Sequence, residues 1–293
     1  MIYFDTHTHA LSDDTDRYPT RPLGGTRSVW SQVRPVDGDG LVRALDHAGV
    51  DRAVLVHAST VYGFDNSYAA DTIARYPDRF VGVCAIDFLA ESALDDINYW
   101  IGERGFRGVR IRAADGNTAV PVPGEGLSDL RMARVWRHLQ DQRIPVCIQM
   151  HSKNTPQLVA VLDRHPELTV LLDHAGRPDV SGGAPYPRLA EISALAPYDR
   201  VHFKITPPML RRIEQEPEAN VDDVLRRLID IFGIRRFVWG SNFPASEGSA
   251  LELRQLIESY LGWLDESDRA DVLGLNAARI YDERQSTDAT GNR

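Results

Sequence analysis

The chain has 293 residues, 43% of them apolar and 26% charged, with a formal net charge of −9. That length suits one large α/β domain, and the negative field makes nucleic acid and anionic membranes unexpected partners, while leaving a small anionic substrate open to local arginines. No apolar run approaches the roughly 20 residues needed to span a bilayer, and Met1-Ile2-Tyr3-Phe4-Asp5 carries no basic or secretory signal, so a cytoplasmic protein is the default expectation.

Eight short apolar runs recur along the chain: Ile2–His7, Ala53–Ala58, Phe80–Ile86, Gly108–Ile111, Pro145–Met150, Leu168–Asp173, Val201–Ile205 and Arg236–Trp239. Most are continuous and β-branched, as strands covered on both faces should be. Amphipathic stretches separate them, with Leu41, Leu45 and Ala48 on one helical face, then Leu94, Ile97 and Ile101, then Val224, Leu225, Leu228 and Ile231. Thr155-Pro156 reads as an N-cap followed by an N1 proline, and Gly233 as a helix stop. Strict alternation predicts a parallel sheet, and eight repeats in this length favour a single-domain (β/α)8 TIM barrel over residues 1–283. No G-x-G-x-x-G follows the first run, which removes the main dinucleotide-binding signal. Residues 12–37, rich in Pro, Gly and Arg, are long for a βα loop and read as an active-site lid or wall. Residues 284–293 read as a disordered tail. Cys84 and Cys147 sit in apolar runs as buried thiols, too far apart in sequence for a metal or disulfide framework.

Histidines cluster where strands should end. His7 and His9 close the first run and share one side by the two-residue period. His151 ends the fifth and His174 the sixth. Strand ends of a barrel converge on one face, so the four predict one pocket able to hold a divalent metal or a substrate carboxylate. Considered alone, each of His151 and His174 keeps a satisfied core histidine as its bland reading, behind the functional one. His57 ends the second run but reads as packing; His47, His138, His165 and His202 fall on helices or mid-strand. Arg110 and Arg112 share a face of the fourth run as a carboxylate clamp, with a salt-bridged rim as the bland reading. Lys204, ending the seventh, adds a charge or pairs with an acid, and Asn242 opens the loop after the eighth.

The combination resembles the amidohydrolase superfamily, in its amidohydrolase-related, 2-pyrone-4,6-dicarboxylate lactonase-like branch. The resemblance rests on Asp5-Thr6-His7-Thr8-His9, Val61-Tyr62-Gly63-Phe64-Asp65-Asn66, Gly105-Phe106-Arg107-Gly108-Val109-Arg110, Asp173-His174-Ala175-Gly176, Phe203-Lys204, Trp239-Gly240-Ser241-Asn242-Phe243-Pro244 and Asn276-Ala277-Ala278-Arg279-Ile280-Tyr281. It implies hydrolysis of a small carboxylated or sugar-acid lactone, in a branch where a strand-eight aspartate activates water and metal is often absent. Related decarboxylases bind zinc through comparable histidines and that aspartate. Here the position is Asn242, and a carboxamide cannot take a proton from water.

Three readings follow. A histidine, His151 or His174 first, serves as base; or a zinc or manganese ion on His7, His9 and His151 generates hydroxide; or hydrolysis is lost. The leading expectation is a lactonase-like hydrolase. In it His7, His9, His151 and His174 polarise the carbonyl and move protons, Arg110, Arg112 and Lys204 hold substrate oxygens, and Tyr62 serves as wall or donor. Asn242 orients water, with Glu247 near enough in sequence to reach back. The alternatives are a metal-dependent decarboxylase or hydratase acting on a related acid, and a non-catalytic ligand-binding barrel. A homodimer is the default oligomer.

Overall fold

A computed structural model describes residues 1–113 and 126–288, with side chains as far as Asp282. The eight expected strands form, in sequence order, one eight-stranded sheet. They are β1 Phe4–Thr8, β2 Arg52–Val56, β3 Phe80–Ala85, β4 Phe106–Arg112, β5 Val146–Gln149, β6 Val170–Leu172, β7 Val201–Ile205 and β8 Phe237–Trp239. Every neighbouring pair from β1–β2 to β7–β8 is parallel. Beyond β8 the sheet curls back on β1: Thr8 bridges Phe243, the Asn242 amide donates to the His7 carbonyl at 2.8 Å, and the Thr6 hydroxyl to the Trp239 carbonyl at 2.6 Å. The chain is thus a nearly closed (β/α)8 barrel.

Continuous apolar strands follow from burial on both faces. Outward residues such as Leu55, Val109, Ile148, Leu172, Phe203 and Trp239 pack under the helices. Inward residues Phe4, Val54, Val56, Val81, Val83, Leu171 and Val238 fill the lower barrel, where Ala277 and Tyr281 of the last helix, Asn276–Asp288, plug its end. Alternation sends the next inward layer, Arg110, Cys147, Lys204 and the histidines, toward the carboxyl ends of the strands. A register irregularity in β1 between Asp5 and Thr8 accompanies the change from apolar to polar filling.

Three local expectations are corrected. The helix after β5, Thr155–Leu162, has Asn154 and not Thr155 at its N-cap position, without a side-chain capping bond, and Thr155 is buried inside the first turn. In Val221–Phe232 the inward place expected of Ile231 belongs to Phe232, because the helix ends there at Gly233, whose φ of 79° suits glycine. Residues 284–288, expected in the tail, continue the last helix; 289–293 lie outside the described residues.

Asp5 ties the closure together. Its Oδ1 accepts from the His7 and Ser241 amides, both at 2.9 Å, and its Oδ2 is buried without a hydrogen-bond partner. Burial pushes its carboxyl up to about 6 against the pull of those hydrogen bonds. A raised carboxylate makes a contribution to stability that is whole at low pH and lost as pH climbs through the folded-state value. Asp5→Asn keeps the shared acceptor without the charge. Denaturant titrations between about pH 4 and pH 7 should therefore show wild type losing on the order of 3 kcal/mol more stability than Asp5→Asn. Parallel curves would contradict this.

Candidate active site

Asp173 follows β6 and is fully buried at the floor of the barrel mouth. Its Oδ1 lies 3.0 Å from Lys204 Nζ and 3.3 Å from His7 Nδ1, and its Oδ2 accepts from Arg110 Nε at 2.8 Å. Burial by itself would raise the Asp173 carboxyl; Lys204, then Arg110, then His7 overturn that and hold it well below the usual carboxylate range. Arg110 also donates to Gln149 Oε1 at 2.8 Å, which fixes its plane. Lys204 donates to Cys147 Sγ at 3.2 Å and is fully buried. It belongs to the floor and not to the substrate surface, a correction of the expectation that it would hold substrate oxygens.

Above this floor opens a cleft enclosing about 740 Å³, part of it open to solvent. His9, His174, Arg110, Arg112, Arg177, Asn242, Gln149, Trp30, Ser59 and Thr60 are among its lining. His7 lies just beneath, its ring 5.0 Å from that of His9 and 5.3 Å from that of His174. His9 Nδ1 is 2.7 Å from the Val56 carbonyl, which can only accept. The proton must therefore sit on Nδ1, leaving Nε2 with a lone pair. His174 Nδ1 meets the Thr206 hydroxyl at 2.8 Å, a partner able to donate or accept. Burial first, then the neighbouring Arg110, pulls His9 down to about 3. Burial also pulls His174 to about 3, with Asp173 opposing and Arg177 assisting. The cleft thus pairs neutral imidazoles with permanent guanidinium charge.

Three residues of the cleft lining occupy the left-handed backbone region, His174 with φ 56°, Arg177 with φ 47° and Asn242 with φ 55°. Asparagine tolerates this better than most residues, and histidine there bears strain of the kind met at functional sites. Asn242 is held by its own turn: Nδ2 donates to Ser246 Oγ at 2.9 Å, and its carbonyl accepts the Ser246 amide at 2.8 Å.

Of the four histidines expected to converge, His9 and His174 line the cleft and His7 lies beneath them. His151 stands outside the cleft lining, half-buried, with its Nε2 3.2 Å from Arg177 Nη1. The proposed metal set of His7, His9 and His151 does not fit. His7 Nε2 is a buried atom without a hydrogen-bond partner and His9 Nε2 carries a lone pair, but His151 faces a guanidinium and Asn242 brings no carboxylate. Among the described residues no group of three or more His, Cys, Asp or Glu converges to hold an ion. Tyr62 lines no part of the cleft; its hydroxyl accepts the Ser12 amide at 2.8 Å. Glu247 is exposed and faces Arg34 at 3.5 Å, away from Asn242. His57 packs against the Gly63 carbonyl at 2.9 Å, as expected.

Sequence reasoning missed Trp30, Arg177 and the floor built on Asp173. Trp30, on the helix Val29–Val33 within the long first loop, stacks on His9 at 5.2 Å and 23°. Arg34 pins that loop to the Pro244 and Ala245 carbonyls at 3.1 and 2.9 Å, and the Thr60 hydroxyl donates to Ser28 Oγ at 3.0 Å. The aspartate was legible, since it directly precedes His174 at a strand end; Trp30 carried no signal in its spacing.

Known proteins share this frame. The chain is 25% identical to an L-fucono-1,5-lactonase of Burkholderia ambifaria over 94% of each chain. It is 26% identical to a 4-sulfomuconolactone hydrolase of Rhizobium radiobacter over 83% of this chain and 76% of that protein. The crystal structure of a Burkholderia multivorans amidohydrolase with bound zinc superposes with a TM-score of 0.74 at 21% identity, covering 96% of this chain and 99% of that one. The amidohydrolase family model matches residues 4–282, nearly the whole barrel, and the chain belongs to that family.

Proposed function

We propose that the protein hydrolyses a small lactone bearing a carboxylate or derived from a sugar acid. The observation that carries this reading is the pairing of His9, whose lone pair is fixed by the Val56 carbonyl, with three guanidiniums lining the same cleft. The lactonase relatives support it.

Arg112 and Arg177 hold the substrate's anionic oxygens, and Arg110, braced by Asp173 and Gln149, faces the reacting carbonyl. Water attacks that carbonyl as His9 Nε2 takes its proton. The new C–O bond forms, the ring C–O bond breaks, and the proton passes to the leaving alkoxide, giving a hydroxy acid. His174 donates from Nε2 to the developing oxyanion when the Thr206 hydroxyl donates to Nδ1. Asn242 positions the water through its carboxamide. A histidine at about 3 is a weak base, and an anion bound among the guanidiniums raises it by offsetting Arg110. This revises the expected choice of base from His151 or His174 to His9.

His9→Ala should lower kcat/KM on responsive lactones by about 100-fold or more with an unchanged thermal melt; an active variant would remove His9 from the base role. Because both cleft histidines are neutral in the free enzyme, kcat/KM should stay flat down to about pH 5, while kcat, reporting the anion-bound state, falls at a higher pH. A kcat/KM profile with a histidine limb near 6.5 would contradict the electrostatics described. Asn242→Asp should add a new acid limb to that profile, since it restores a titratable group beside the water. An untouched panel of aromatic-derived and sugar-acid lactones would overturn the reading itself.

A further inference from the structure

Beside the cleft lies a second, smaller recess enclosing about 420 Å³, part of it open to solvent. Three residues, Ser59, Arg110 and Arg112, line both. Beyond that shared partition its walls are apolar except for Asp87, whose Oδ1 accepts the Leu89 amide at 3.0 Å: Ala85, Ile86, Phe88 and Ile111 are buried, Leu23 comes in from the long first loop, and Phe64 stands at the rim, 41% exposed. These walls come from separate parts of the chain, the ends of β3 and β4 and the loops after β1 and β2.

At the junction Ser59 Oγ is buried and has no hydrogen-bond partner among the described residues. A buried hydroxyl left so costs free energy unless a ligand acceptor completes it. The partition therefore sets the Ser59 hydroxyl beside two cationic side chains, Arg110 and Arg112, a border suited to an anionic oxygen, with a mainly apolar chamber and its exposed aromatic edge behind them. Pockets of this build select a ligand by a few placed polar groups and fill the remainder by apolar contact.

We infer that this side cavity is a specificity subsite that takes an apolar substituent, a short alkyl chain or a ring, carried next to the anionic oxygens of the substrate at the Ser59–Arg110–Arg112 partition. This rests on the lactone-hydrolase reading for its catalytic meaning and narrows the substrate class: the preferred lactone carries an apolar arm beside its anionic oxygens, in addition to its polar ring. A fully hydroxylated sugar-acid lactone would leave the chamber without its apolar occupant and would be the poorer substrate.

The test is a series of γ-lactone carboxylates whose carboxylate-bearing carbon also carries an alkyl group lengthening from methyl to butyl, assayed for turnover, with their ring-opened hydroxy diacids titrated calorimetrically into the protein. Kd and KM should each fall by about 3-fold per methylene as the chamber fills. Ala85→Leu, which occupies the chamber, and Phe64→Ala, which removes its exposed wall, should each flatten that dependence. Phe64 is at the surface, so its variant keeps the test valid should Ala85→Leu misfold. Product affinities independent of chain length to within about twofold would overturn the subsite even if every lactone is hydrolysed. Affinities that climb while no lactone turns over would keep the subsite and overturn the catalytic reading instead.

Discussion

The site depends on one buried carboxylate and the cations gathered on it. Asp173 could not remain ionised in a dry barrel floor alone; Lys204 and Arg110 hold it so, and it in turn fixes Arg110 and the edge of His7. Once Asp5 ionises near pH 6, it and Asp173 balance Lys204 and Arg110 in the floor, and the Arg112 and Arg177 guanidiniums give the cleft its positive excess. That excess draws in an anionic ligand and adds to burial, the larger cause, in keeping His9 and His174 from taking protons. Buried ion clusters of this kind add little net stability against an apolar core, but losing one partner is costly, so their value here is orientation.

A division of labour follows. The guanidiniums carry charge at every pH, so in the proposed mechanism transition-state stabilisation does not require protonated imidazoles, which leaves them to transfer protons. This arrangement gives physical room for Asn242. With water activation assigned to His9, a carboxylate at the end of β8 is not needed, and a neutral carboxamide there does not compete with the substrate anion for the arginines. The left-handed turns at His174 and Asn242 aim both side chains into the same space, each held by a neighbouring hydroxyl, Thr206 in one case and Ser246 in the other.

The long first loop makes the mouth more than an open funnel. Arg34 ties it to the loop after β8, and Thr60 ties it to the loop after β2, so the Trp30 ring lies over His9 from a braced position. The same loop supplies Leu23 to the apolar side cavity. One segment thus shapes both the reacting cleft and the chamber beside it, consistent with barrels that vary their chemistry through loops on a constant frame.

Much of this was written locally. Eight two-sided apolar runs determine a parallel barrel, because strands buried on both faces cannot alternate, and the two-residue period puts His7 with His9 and Arg110 with Arg112. The convergence of His174 with that pair followed from barrel closure alone. Depth and partnership did not. Lys204 sits low enough in β7 to be sealed under the floor, His151 comes to face Arg177 instead of the cleft, and Tyr62 turns to the Ser12 amide. Trp30 and Ser59 enter the site from short helices inserted between the barrel elements, and Arg177 from a left-handed turn, where the strand and helix periods of the barrel place nothing. Periodicity states which face of its own element a residue occupies; only the closed barrel decides which other elements meet that face and whether water remains between them.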